Sequence, residues 1–85
     1  MVEKINDDID VIAGFENGNI KPLVFEWRGR RIREFEVAST WQVRQGQWVH
    51  IYFSLFNKES KEVYEIYFDT SVFKWTLARV FSNWL

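Results

Sequence analysis

Apolar and polar residues alternate with a period of two along most of this 85-residue chain, and helical spacing is scarce, which is the signature of half-buried β-strands. A first strand is predicted from Ile9 to Phe15, followed by Asn17-Gly18, the pair that a two-residue hairpin turn favours because both central residues need positive φ. A second, Lys21 to Trp27, places Leu23, Phe25 and Trp27 on one face and Val24 and Glu26 on the other, with Pro22 restricted to an edge or a bulge. Gly29 then supplies positive φ for the next turn. The third strand, Arg31 to Val37, changes phase: Ile32 falls in step with Glu34 and Glu36, while Phe35 and Val37 fall in step with Arg31 and Arg33, so a bulge is expected near Arg33 or Glu34. Residues 38–44 show no clean alternation and are expected to form a loop or one helical turn capped by Trp41, ending at the turn Gln45-Gly46.

The remaining strands are plainer. Trp48 to Phe56 sets Val49, Ile51, Phe53 and Leu55 against Trp48, His50, Tyr52 and Ser54; a polar loop at Asn57-Lys58-Glu59-Ser60 leads into Glu62 to Phe68, with Tyr64, Ile66 and Phe68 inward. Asp69 to Val72 turns the chain into a last strand from Phe73 to Phe81. The fold class expected is all-β: a six-stranded antiparallel meander curled into a small, partly open barrel, a shape that removes most of its own edges without a second layer.

At 85 residues the chain is expected to be one domain, of a size that buries only about 60 to 65% of its unfolded surface, with residues 1–8 a flexible acidic N-terminus. A 47% hydrophobic content with five Trp and eight Phe is enough to fill a core. The absence of cysteine excludes disulfide staples, thiolate metal sites and cysteine nucleophiles, and suits a reducing, cytoplasmic setting. No apolar run approaches the length of a membrane span, and no membrane partner is expected. The net charge of −1 gives no global case for nucleic acid, yet its distribution is uneven. Residues 28–33 carry four arginines and no acid, whereas residues 3–10 hold four acids against Lys4.

Read together, Pro22 to Arg33 (PLVFEWRGRRIR), Trp41, Val63 to Asp69 (VYEIYFD) and Lys74 to Val80 (KWTLARV) resemble a bacterial family of small domains of unknown function. Members of that family occur alone or as a C-terminal tail on the inactive, Y-family-polymerase-like subunit of bacterial mutasomes. The similarity spans residues 10 to 81 and departs at Glu34 and Glu36, where apolar residues are expected, and over residues 42–47. It implies a small β domain and a DNA-damage-tolerance context, and it brings no catalytic residue.

Two features are candidate binding elements. Arg28, Arg30, Arg31 and Arg33 at a hairpin tip have the character needed to contact successive phosphates, with aromatics stacking on bases; alternatively they pair across strands with Glu26, Glu34 and Glu36. Trp27, Phe25, Tyr64, Phe68 and Trp75 are expected in the core, whereas Trp48, Tyr52 and Tyr67 either form an exposed platform or lie beneath the 38–47 segment. Trp84 either docks on the barrel or frays. His50 is the single histidine and has no nucleophile placed beside it by a recognisable motif, and Asp8 and Asp10 share a strand face without further ligands at metal spacing. No cofactor or metal is expected, and the chain is not expected to be an enzyme. The reading is a non-catalytic interaction module, a protein-binding adaptor, with nucleic-acid binding by the arginine hairpin and exposed aromatics as the alternative; an apolar patch also allows a homodimer, and a small-molecule pocket requires an unfilled lumen.

Overall fold

A computed structural model describes residues 1–82. The described chain is all-β: strands β1 (Val2–Glu16), β2 (Asn19–Trp27), β3 (Arg30–Ile32), β4 (Glu36–Gln45), β5 (Trp48–Phe56), β6 (Val63–Asp69) and β7 (Lys74–Phe81) form one antiparallel sheet in the order β3-β2-β1-β7-β6-β5-β4. Each strand neighbours its predecessor in sequence except at one seam, between β3 and β4, and the pairing of β1 with β7 joins the two halves. The meander thus wraps round as a barrel does but stays open.

The seam has a local cause. β3 and β4 run in the same direction, interrupted at Arg33, Glu34 and Phe35, where the sequence changes phase; β3 pairs with β2 and β4 with β5. The expected third strand is therefore two, and residues 38–44, expected as loop or helical turn, are the middle of β4. Residues 1–8, expected to be flexible, supply the first half of β1, with Val2 through Ile9 paired to β7 from Phe81 to Trp75. The second half of β1, from Asp10, pairs with β2 instead, so one long strand serves two neighbours and bends the sheet. Asn6, at φ 56°, sits in the irregularity between Lys4 and Asp7 that permits the bend.

Two turns behave as the sequence predicts. Asn17 and Gly18 (φ 52° and 77°) and Arg28 and Gly29 (φ 53° and 76°) are two-residue turns with both central residues left-handed, which matches the strand twist; a glycine relieves one of the two strained positions in each. The core is apolar: Ile9, Phe25, Ile32, Phe53, Leu55, Ile66, Leu77 and Val80 cluster around Tyr64, with Trp27 and Trp75 packed against them, and no charged side chain is buried among the described residues. Phe68 is half-buried and lies 5.0 Å from Trp75, ring to ring. Leu23 is the exception to its predicted face. The β1–β2 register passes from Val24 to Pro22, leaving Leu23 as the bulged residue, 45% exposed, while Pro22 takes the buried position.

Candidate functional site: the open end of the barrel

Because neighbouring strands are antiparallel, the turns sort onto two ends. The Arg28-Gly29 turn, the 57–62 loop and the start of β1 lie at one; the Asn17-Gly18 turn, the Gly46-Gln47 turn and the 70–73 turn lie at the other.

At the arginine end two of the four cations are neutralised. Arg28 lies 3.2 Å from Asp7 and over the Trp27 ring at 4.7 Å, and Arg31 meets the Glu26 carboxylate at 2.9 Å. Arg30 and Arg33 have no ion-pair partner among the described residues. Of the acids expected to pair with arginine, Glu26 does so, whereas Glu36 binds Lys58 at 2.7 Å.

On the outer face of β4, β5 and β6, rings stack in a row. Trp41 lies on Tyr52 (5.3 Å, 11°), Tyr52 lies 4.8 Å from Tyr67, and His50 stacks on Tyr67 (4.6 Å, 17°). Cross-strand registers Trp41↔Tyr52 and Tyr52↔Tyr67 place them side by side. The segment expected to cover this platform instead extends it as β4. Tyr52 and Tyr67 are half-buried and Trp48 is 47% exposed. Burial, with the nearby charge of Glu65, holds the Tyr52 hydroxyl above its ordinary pKa. The polar groups flanking the platform face one another: His50 Nε2 stands 3.3 Å from Asp69, and Arg79 Nε stands 3.1 Å from Glu65, out of line for a hydrogen bond. Asp69 is held below the usual carboxylate range mainly by the Ser71 hydroxyl and backbone N–H, which both donate to it.

The open end holds what the sequence did not disclose. Between the tip of the β1–β2 hairpin and the inner face of β4, β5 and β6 lies a cleft of about 730 Å³, with Phe15, Ile20, Ile51, Phe53, Phe68 and Phe73 among its walls and Thr40 and Gln42 on the β4 side. The interior is therefore not filled solid at this end. Beyond Asp10, β1 has left β7, so the hairpin tip overhangs the cleft as a two-stranded ribbon. Phe15 is 79% exposed and Phe73 78%, and Val72 beside Phe73 is also exposed. Phe73 additionally sits at φ 56°, a conformation that costs a bulky residue about 1–2 kcal/mol. Neither burial nor backbone preference accounts for phenylalanine there, although its ring stacks on Phe68 at 5.7 Å.

No group of three or more His, Asp or Glu that could hold a metal occurs among the described residues, and they contain no helix long and apolar enough to cross a membrane. The docking of Trp84 lies outside the described residues. No family model, curated protein or solved structure matches this chain.

Proposed function

We infer that this chain is a non-catalytic protein-binding module that docks its partner at the open, apolar end of the barrel. The observation carrying this reading is the cleft together with the phenylalanines that line it: a wet, strained Phe73 and a wet Phe15, both bordering an apolar hollow. The volume of the cleft is one a small ligand could also fill; what favours a protein is the solvent-exposed apolar surface of Phe15, Val72 and Phe73 beside it. Nucleic-acid binding is less well supported. Two of its four arginines are already neutralised, and the stacked rings on the outer face are flanked by the internal pairs His50–Asp69 and Arg79–Glu65, a poor setting for phosphate. The resemblance to mutasome tails supports a DNA-damage-tolerance setting for the partner.

The test is capture of protein from lysate of the source cells on the immobilised chain, with and without nuclease and in low and high salt, comparing wild type with the double variant Phe15→Asp, Phe73→Asn. Capture that survives salt and is lost in the double variant supports the reading. Capture that vanishes with salt or nuclease, or is indifferent to both substitutions, overturns it.

A further inference from the structure

The kind of ligand the open end accepts is written in the edge of β4. That strand pairs only with β5, and no Cα in it lies within 8 Å of a Cα in any other strand. Its opposite edge is thus a row of backbone N–H and C=O groups without strand partners. Natural sheets blunt such edges with charge, proline, bulges or brevity. β3, the other edge, is three residues long and carries Arg30 and Arg31, and the free stretch of β2 across the gap holds Lys21 and Pro22. Residues 37–43 of β4, VASTWQV, contain no charge, no proline and no glycine and are rich in β-formers; a bulge between Val37 and Ser39 interrupts the start of this edge and leaves Ser39 to Val43 as its unbroken part.

Resting on the protein-docking reading above, we propose that the free edge of β4 takes up an extended segment of a partner protein as an added strand, whose alternate apolar side chains enter the cleft. Three observations converge on that occupant. An open ladder is satisfied by another backbone, which selects a polypeptide over a small molecule. The seam leaves that edge uncovered: no Cα of a strand other than β5 comes within 8 Å of β4, whereas a paired strand would stand about 4.7–4.9 Å away. The inner face of β4 also borders the cleft at Thr40 and Gln42, so inward side chains of a strand added beside it point at Ile51, Phe53 and Phe68.

A second copy of the chain fits worse. Its own β4 would offer Thr40, Gln42 and Arg44 on the corresponding face, polar groups against an apolar hollow. A foreign segment with large apolar residues at every other position matches both the ladder and the walls.

The experiment uses the full chain and a pool of capped octapeptides that alternate Thr with Leu, Phe or Trp. Binders are followed by backbone amide shifts and hydrogen exchange, then resynthesised with N-methyl groups on the alternate amides of one edge or of the other. The expected result is slowed exchange at amides within 37–43. Methylation of one edge should weaken binding at least about tenfold and of the other edge less than about twofold, since only one edge faces the ladder. The proposal is overturned if no peptide in the pool binds, or if both methylation patterns leave affinity unchanged. It is equally overturned if the 37–43 amides of the peptide-free chain are already protected in step with protein concentration, the mark of a second copy on that edge. Binding that ignores methylation yet is lost with Phe15→Asp, Phe73→Asn would remove the added strand and leave the docking end standing.

Discussion

The indole N–H of Trp27 donates to a carboxylate oxygen of Asp7 at 2.8 Å, and Arg28 Nε reaches the same oxygen at 3.2 Å. One acid from the N-terminal stretch thereby closes the arginine hairpin onto β1, and this contact links the acidic and basic ends of the charge pattern. Asp7→Ala should lower unfolding free energy by about 1–2 kcal/mol in a denaturant titration, because the half-buried indole N–H loses its acceptor. Asp7→Asn, which keeps an acceptor oxygen, should cost less. Equal losses in the two variants would mean that charge alone matters at this site.

The bulge at Leu23 separates two residues that share a phase in the sequence. Phe25 is 1% exposed and Leu23 45%. Phe25→Ala should therefore cost about 3–5 kcal/mol, a large part of the whole stability of a domain this size, and Leu23→Ala less than about 1 kcal/mol. Comparable losses would restore the unbulged register.

Tyr64 carries the alkaline limit of the fold. Burial first, and then its hydrogen bond to Glu62 at 2.9 Å, push its hydroxyl up to about 12. An unfolded tyrosine loses its proton near pH 10, so below that pH both states are protonated and stability is unaffected. Between pH 10 and 12 only the unfolded state ionises, and stability should drain away by roughly 2–3 kcal/mol as pH rises. Denaturation of wild type and Tyr64→Phe at pH 9 to 11 checks this: the wild-type slope should be steeper, and parallel slopes would rule it out.

Phe73 offers the cleanest separation of stability from binding. Asparagine tolerates left-handed φ far better than phenylalanine, and the ring is 78% exposed. Phe73→Asn should leave the thermal midpoint unchanged or raise it, by up to about 1 kcal/mol in stability, while weakening partner capture. A clear fall in stability would show that stacking on Phe68 is what holds this residue in place.

Alternation in β5 and β6 made the inward positions Phe53, Leu55, Tyr64 and Ile66 legible, and the Asn17-Gly18 pair marked a turn that formed as predicted. Period two fails where a strand is irregular or wet on both faces. β4 escaped notice because, as an edge strand beside an opening, it buries no full face, so its polar Ser39, Thr40 and Gln42 read as loop. The start of β1 escaped for a related reason: its acids are exposed, and what holds it is the ladder to β7 and the reach of Asp7, both of which depend on residues distant in sequence. Of the residues proposed from sequence, Arg31 pairs with Glu26 as the cross-strand alternative had it and Arg28 with the unforeseen Asp7, while Tyr52 and Tyr67 lie in a row that Trp41 extends. The cleft had no sequence signal at all, since it arises from how far the β1–β2 hairpin overhangs the rest of the sheet.

The most direct measurement is hydrogen–deuterium exchange on the chain with and without its captured protein partner. Slowed exchange at residues 12–20, 37–43 and 70–73, with 26–33 unchanged, is the expected outcome. Protection confined to 26–33, with the open end exchanging as freely as before, would place recognition at the arginine hairpin and refute the docking end.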